Sequence, residues 1–170
     1  MDSVEQIIAK QAISELSCRY MRGLDRLDRE LLMDVFWDDA YCEYGFINGD
    51  PKVFIDFALG SLAEHKANHH MIGNTLIEFS DGQAYGEVYF NAYHKVPSGD
   101  GWDDVIIAGR YLDRYEERNG EWKFIYRSER VDFSHTRATN NPYMEMAPDS
   151  LFGSRQDDAV YDLAARHKSA

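Results

Sequence analysis

The sequence predicts an α+β fold in which three N-terminal helices pack on a bent antiparallel sheet and enclose a pocket. In the first third of the chain, apolar residues recur at three- and four-residue steps, as on one face of a helix. From Met71 onward the apolar period changes to two, which is typical of strands. Asp81-Gly82 and Asn119-Gly120 mark tight hairpin turns. Helices grouped before hairpin-linked strands favour an α+β fold over alternating βαβ units.

Each predicted helix begins after an acidic residue that can cap it. Asp2 precedes a long apolar stripe, and Asp28 precedes a short second helix that ends near Phe36. Asp50 precedes a third helix, which we expect to run to about Ala67. The side-chain oxygens of Asp accept hydrogen bonds from the free N–H groups of a first helical turn, so these positions favour helix starts.

Five strands are predicted, one before the third helix and four after it. They cover residues 41–44, 76–79, 83–95, 104–117 and 121–133. The alternating pattern ends at Ser134, so we interpret residues 1–170 as a single domain with a C-terminal extension at 134–170. A long sheet that bends around the helices would enclose a cavity.

Charge and composition argue against several classes of function. The formal net charge is −12 over 170 residues, and so acidic a chain repels the phosphate backbone of nucleic acids. We find no basic run for an anionic membrane and no apolar stretch near the roughly 20 residues that span a bilayer. Cys18 and Cys42 lack the spacing of a zinc or redox motif. With no visible signal peptide, we expect a cytoplasmic protein without a nucleic-acid or membrane partner.

Asp25, near the end of the first helix, and His70, where the β pattern begins, are the central candidates for chemistry. A neutral imidazole can accept a proton near neutral pH, and a carboxylate on its other nitrogen fixes the tautomer and stabilises the imidazolium. Tyr20 is in register with the apolar stripe and could donate an O–H. The alternative is that Asp25 caps the helix or pairs with Arg22 or Arg26 at the surface, while His70 only packs.

His65, His69 and His70 raise the question of a metal site, because the first two are four residues apart at the end of the predicted third helix. The helical zinc motif needs Glu directly after the first His, where this chain has Lys66. We therefore predict no metal. His69 should face away from His70, because neighbours in an extended chain point to opposite sides.

A set of short segments spread over nearly the whole chain carries a resemblance to known proteins. They are ISEL at 13–16, RY at 19–20, LD at 24–25, Asp28, DDA at 38–40, HMIGN at 70–74, GRYLDRY at 109–115, GEWKF at 120–124 and GSRQDD at 153–158. In this order they resemble the SnoaL-like branch of the NTF2-like superfamily. The resemblance implies a cone-shaped α+β domain with a ligand pocket.

The resemblance also implies roles for individual residues. The family's dehydratases and its dehydrochlorinase share an Asp late in the first helix and a His entering the first long strand, which correspond to Asp25 and His70. Its bile-acid dehydratase has a Tyr five residues before that Asp, matching Tyr20. That enzyme has a further acid on the strand after the hairpin, where this chain has Asn91 and Ala92. The bile-acid version of the site is therefore incomplete here.

Further positions could bind a substrate. In some family members an Arg on the final strand does so, and the candidates are Arg127 and Arg130, on opposite faces of the strand. His94 and Asp113 are polar strand positions that we expect to be structural. The tyrosines singled out for the pocket wall are Tyr44, Tyr89 and Tyr111.

The sequence thus predicts a lyase that needs neither a metal nor a cofactor. It would be a dehydratase, a dehydrohalogenase or a retro-aldol enzyme, acting on a hydrophobic, aromatic small molecule through a His–Asp dyad. Alternatives are an isomerase or aldol cyclase with the same base, a non-catalytic binding module, or the small subunit of a ring-hydroxylating dioxygenase. Because family members pair their sheets, we expect a homodimer or homotrimer, with the C-terminal extension crossing to a neighbour or covering the pocket.

Overall fold

The computed structural model describes residues 2–139, 142–150 and 153–162. The elements are α1 (Ser3–Arg26), α2 (Arg29–Asp34), β1 (Phe36–Glu43), β2 (Asn48–Gly49), α3 (Pro51–Ala63), β3 (Ala67–Ser80), β4 (Gln83–Ser98), β5 (Gly101–Arg118), β6 (Glu121–Ala138), α4 (Pro142–Met146) and a 3₁₀ turn at Ala159–Asp162. The predicted α+β fold, with three helices before the long strands, is confirmed. Within these ranges, no helix is long and apolar enough to cross a membrane.

The six strands form one sheet in the order β2-β1-β6-β5-β4-β3. Strands β3 to β6 are antiparallel neighbours, as the hairpin turns predict, and β2 also pairs antiparallel with β1. Strand β1 joins β6 in parallel, so the sheet is mixed rather than wholly antiparallel. The two strands are separated by α3 and three long strands, a connection long enough to bring β1 beside β6 in the same direction.

The predicted caps start all three helices. Asp2, Asp28 and Asp50 each accept hydrogen bonds from backbone N–H groups of the following turn. The helices end earlier than predicted, α2 at Asp34 and α3 at Ala63. His65 and His69 therefore do not share a helix, which removes the spacing on which a metal site was considered.

Gly23 lets α2 pack directly against α1. A Cβ at this position would lie 2.5 Å from Leu32 Cγ, far inside van der Waals contact. Leu32 is fully buried at this crossing. The glycine that interrupts the apolar stripe of α1 is thus needed for the helix contact, and Asp25 lies just beyond it.

The strands extend further than their hydrophobic pattern predicts, and the extensions of β3 and β6 bear on the site and on the C-terminal extension. Strand β3 begins at Ala67 rather than near residue 76. The apolar pattern does not reveal this first part of the strand, because its inward positions are occupied by the polar residues Asn68 and His70. Strand β6 continues to Ala138, where it still pairs with β5 although its last side chains are exposed. Residues 134–138 therefore belong to the sheet and not to the C-terminal extension.

The outer face of the sheet exposes several apolar side chains. Leu76 and Leu112 lie in one cross-strand row with Glu87 between them, and Tyr89 lies nearby beside Arg110. Exposed apolar surface of this kind is common where subunits meet. The homodimer or homotrimer stays a prediction.

Candidate active site

A cavity of about 350 Å³ lies between α1, α3 and the inner face of the sheet. This volume is within the usual range for small-molecule sites. Most of its wall is apolar and includes the rings of Phe54, Phe57 and Phe90. The wall residues that carry polar side-chain atoms are Tyr20, Ser61, His65, His70, His94, Tyr111 and Glu129.

Asp25 and His70 form a hydrogen-bonded pair at this wall. His70 Nδ1 lies 2.7 Å from Asp25 Oδ1, and both side chains are almost entirely buried. The backbone N–H of His70 also donates to Asp25 Oδ1 and Oδ2, at 3.2 and 3.1 Å. This N–H is available because β3 is an edge strand of the sheet. The pair therefore forms because the end of α1 docks against the open edge of β3.

The pairing determines which nitrogen of His70 can act as a base. An ionised Asp25 is only an acceptor, so Nδ1 of the neutral imidazole carries the proton. The lone pair is then on Nε2, which has no hydrogen-bond partner among residues 2–139, 142–150 and 153–162. Because His70 lines the cavity, Nε2 is available to a bound molecule.

Two further histidines are oriented by one amide. Asn68 Nδ2 donates to the carbonyl of Leu62, which leaves Oδ1 as an acceptor. His65 Nδ1 and His94 Nδ1 lie 2.7 and 3.0 Å from that oxygen, so both rings carry their proton on Nδ1.

His94 is held neutral. Burial lowers its pKa to about 3, with smaller effects from the neighbouring His70 and His65. Its ring centre lies 5.0 Å from that of His70. No group of three or more His, Cys, Asp or Glu side chains in the described residues is arranged to hold a metal ion.

The hydroxyl groups of Tyr20 and Tyr44 are hydrogen-bonded, with their oxygens 2.7 Å apart. Burial raises the pKa of both phenols well above its ordinary value, so both remain protonated at physiological pH. Tyr20 lines the cavity, whereas Tyr44 lies behind it and stacks on Phe54 with ring centres 3.4 Å apart. When Tyr44 donates to Tyr20, the hydroxyl hydrogen of Tyr20 is free for a ligand.

Arg127 lies beneath the cavity and is fully buried. Its Nε and Nη2 donate to Asp113 at 2.9 and 2.8 Å, and Tyr115 donates to the same carboxylate at 2.9 Å. The guanidinium also packs on the rings of Tyr20 and Tyr111, 4.3 and 4.1 Å from their centres. The pair thus supports the floor of the cavity.

Comparison with known proteins identifies the family of the chain. Residues 5–128 match the SnoaL-like domain. The chain belongs to the SnoaL-like domain family. No curated protein matches the sequence at a significant level.

Solved structures share the fold of this SnoaL-like domain. A hexachlorocyclohexane dehydrochlorinase, LinA type 2, superposes with a TM-score of 0.73 at 23% identity, over 82% of this chain and 95% of that one. LinA type 3 from Novosphingobium barchaimii LL02 gives 0.73 at 22% identity, over 82% and 97%. A protein from Novosphingobium aromaticivorans DSM 12444, provisionally named a scytalone dehydratase, gives 0.70 at 21% identity, over 82% and 94%.

The structure brings only some of the predicted site residues of this SnoaL-like domain to the cavity. His70, Tyr20 and Tyr111 line it, and Asp25 contacts it through His70. Tyr44 reaches it only through the hydroxyl of Tyr20. The alternative in which Asp25 pairs with Arg22 or Arg26 is not what the structure shows, because the carboxylate is bonded to His70.

Three predicted substrate contacts need correction. Arg127 points inward as a cavity residue would, but Asp113 and the surrounding rings enclose it below the floor. Arg130 and Tyr89 lie on the outer face of the sheet, where Arg130 contacts Glu43 and Ser128. The alternation of side chains along a strand excludes both from the cavity. The sequence pattern did not determine which face of β4 and β6 is the inner one.

Glu129 lines the cavity and was missed from the sequence. It lies two residues after Arg127 on the inner face of β6, directly opposite Tyr111 on β5. Burial raises the pKa of its carboxyl above the ordinary value, against smaller lowering effects of Arg127 and His70. Strand alternation would have found it, had Arg127 been recognised as the inward-facing arginine.

A C-terminal segment, residues 153–158, packs behind Asp25. Arg155 donates to the carbonyl of Asp25 and to that of His65, each at 2.9 Å. Arg26 contacts the carbonyl of Ser154 and lies 3.3 Å from Asp158. This part of the extension ties the end of α1 to the turn after α3 and thereby holds both sides of the histidine wall.

Proposed function

We propose that the protein is a lyase that needs no cofactor and acts on a hydrophobic, aromatic small molecule, with His70 as its base. One observation carries the proposal: the imidazole of His70 is bonded to Asp25 through Nδ1, and its Nε2 opens into an apolar cavity. A carboxylate-oriented imidazole is suited to remove a proton from carbon or oxygen near neutral pH.

The other polar groups fit the same reaction. Asp25 holds the tautomer and stabilises the imidazolium that forms when His70 takes a proton. Tyr20, which remains protonated, can donate a hydrogen bond to an oxygen on which negative charge develops. The mainly apolar wall lowers the local dielectric constant and thereby strengthens both interactions.

Two neighbours in fold support an elimination in particular. One carries the name of a dehydrochlorinase and the other the provisional name of a dehydratase. Both names denote removal of a small group together with a proton. A retro-aldol cleavage, an isomerisation or an aldol cyclisation would use the same base, so the reaction is best distinguished by its product.

A single test compound separates these reactions. The aldol adduct of benzaldehyde and acetone gives benzalacetone if water is lost, and benzaldehyde plus acetone if the C–C bond is cleaved. Both outcomes are read by chromatography and ultraviolet absorbance. The corresponding β-chloro ketone gives benzalacetone by loss of HCl, after subtraction of the spontaneous rate.

His70→Ala should reduce the rate by about 10²–10⁴-fold, the usual contribution of a positioned general base. The matched control is His69→Ala, which removes the adjacent imidazole from the opposite side of β3 and should keep its activity. Circular dichroism should show that both variants fold. If His70→Ala retains the full rate, or if the protein binds benzalacetone without converting either ketone, a binding module replaces the lyase.

A further inference from the structure

Glu129 is half-buried at the cavity wall and differs from the buried acids of the protein in its contacts. Asp25 is bonded to His70, Asp104 to Lys95 and Tyr93, and Asp113 to Arg127 and Tyr115. In the described part of the chain, the carboxylate of Glu129 has no hydrogen-bond partner. A polar group at an apolar wall is costly to leave unpaired, so its position calls for a partner that enters the cavity.

Titratable and charged groups near Glu129 are contributed by several elements around the cavity. The titratable and charged groups that share this wall or its floor are Tyr20 on α1, His65 after α3, His70 on β3, His94 on β4, Tyr111 and Asp113 on β5, and Arg127 on β6. Arg127 is already bonded to Asp113, and His94 is held neutral. Glu129 is therefore left facing the space that a substrate would occupy.

A second observation concerns position. His70 and Glu129 lie on β3 and β6, with β4 and β5 between them, yet both side chains line the same cavity. The sheet therefore presents the two groups to one enclosed space. One small molecule can then contact both.

We infer that Glu129 is the general acid that protonates the leaving oxygen, and that the substrate therefore loses a hydroxyl group as water. This inference rests on the proposed lyase function and extends it. Loss of chloride needs no proton, because chloride is a stable anion. Loss of hydroxide from carbon is slow unless an acid converts the departing group to water.

The proton balance of the step is complete. His70 Nε2 takes the proton from the carbon next to a carbonyl group, and the electron pair of that C–H bond forms the C=C bond. The C–O bond at the neighbouring carbon breaks, and its oxygen receives the proton of Glu129 and leaves as water. His70 ends as imidazolium and Glu129 as carboxylate. Transfer of one proton from the imidazolium to the carboxylate through solvent restores the starting state.

The two proton transfers support each other. Burial favours the protonated form of Glu129 before reaction, and positive charge on His70 lowers the pKa of Glu129. Proton uptake by the base thus makes the acid stronger at the moment when the leaving group needs a proton. In return, the new carboxylate stabilises the imidazolium. A surface acid would not have this coupling, because water screens it.

The pairing of β6 with β5 is regular around Glu129. Tyr111, Arg110 and Gly109 face Glu129, Arg130 and Val131 in turn, so strand alternation puts both Glu129 and Val131 on the cavity side. The register shifts only after Val131, where one extra residue of β6 is accommodated. A Cβ on Gly109 would lie 2.1 Å from the carbonyl oxygen of Arg130, so only glycine fits there.

The experiment compares the hydroxy ketone and the chloro ketone in three proteins. Glu129→Gln keeps the shape of the side chain but cannot give up a proton. It should lose about 10²-fold or more on the hydroxy ketone and stay within a few-fold of the wild type on the chloro ketone. The control, Glu121→Gln, changes an exposed acid on the same strand and should alter neither rate.

The pH profile gives a second measurement. The wild-type rate on the hydroxy ketone should fall as pH rises and Glu129 ionises, and this fall should be missing from the chloro ketone profile. Glu129→Asp should restore part of the hydroxy ketone rate, whereas a merely structural role would lower both reactions together.

Each result has a definite meaning. If Glu129→Gln lowers both rates equally or neither rate, the general acid is not Glu129. If the wild type converts the chloro ketone but not the hydroxy ketone, the inference fails while the proposed lyase function stands. If His70→Ala leaves both rates unchanged, or the wild type converts neither compound, the proposed function fails and this inference fails with it.

Discussion

Two buried ion pairs lie next to the cavity, one at its wall and one beneath its floor, and they differ in what remains available to a ligand. Arg127 and Asp113 bond twice to each other, and Tyr115 binds the same carboxylate. Both side chains are completely inaccessible. Asp25 and His70 are also nearly buried, but Nε2 of His70 is left facing the cavity.

Burial of charge does not by itself mark an active site. Arg127 and Asp113, below the floor, form their hydrogen bonds within the protein. The exception is Arg127 Nη1, which has no partner in the described residues. The charge of this pair is therefore a fixed part of the scaffold. The pair at the wall keeps one basic atom for a ligand, and this difference is the reason we propose a catalytic role for that pair alone.

Removing one partner of the floor pair should have the largest effect on stability. Asp113→Ala leaves the guanidinium of Arg127 buried without a counter-charge, and the free energy of unfolding should fall by about 3–5 kcal/mol. Urea titration followed by circular dichroism measures it. The double variant Asp113→Leu with Arg127→Met should recover much of the loss, since neither charge then remains. An unchanged midpoint in Asp113→Ala would contradict the structural role.

A change in the wall pair, Asp25 and His70, should lower activity more than stability. Asp25→Asn keeps an oxygen that can accept a hydrogen bond from His70 but removes the negative charge. The free energy of unfolding should therefore fall by only about 1.5–3 kcal/mol. Activity should fall clearly, although by less than in His70→Ala, because the base remains and only its orientation and its imidazolium lose support. Steady-state kinetics and urea titration on the same samples test this. A full rate in Asp25→Asn would remove the dyad from the mechanism.

Glu129→Gln should have the smallest effect on stability, with a sign that depends on pH. The pKa of Glu129 in the folded protein is above its ordinary value of 4.5, so between these two values the folded state binds more protons than the unfolded state. Wild-type stability therefore declines as pH rises through that interval. The glutamine variant lacks this decline and should gain in Tm relative to the wild type as pH increases. A constant difference across pH would show that burial does not perturb this acid.

The sequence predicted much of the fold and the centre of the site. Helix caps and hairpin turns located the helices and strands, because these signals depend on local chemistry. The family resemblance and the chemistry of a carboxylate–imidazole pair predicted that Asp25 and His70 meet, and the two side chains are in contact. The parallel position of β1 beside β6 could not be predicted, since nothing within β1 specifies which distant strand it joins. Tyr89 and Arg130 were placed wrongly for a related reason: a two-residue period defines two faces without saying which is buried.

Glu129 and Asn68 show a further limit. Each is a common polar residue in a strand, and neither has a motif around it. Their importance arises from tertiary neighbours: for Glu129 an apolar cavity, and for Asn68 two imidazoles from different elements. Residues whose role depends on such convergence can be recognised only when the chain is folded.

The amide of Asn68 also has a consequence for recognition. By holding the proton of His65 and His94 on Nδ1, it leaves the lone pair of each neutral ring on Nε2, and both rings line the same cavity as His70. Neutral imidazoles with this tautomer accept hydrogen bonds from a ligand and do not donate them. A ligand edge that carries hydroxyl or phenol hydrogens can therefore bind at the three histidines, whereas a ketone oxygen finds a donor at Tyr20. Molecules of the same size are then distinguished by which of their edges carries hydrogen-bond donors.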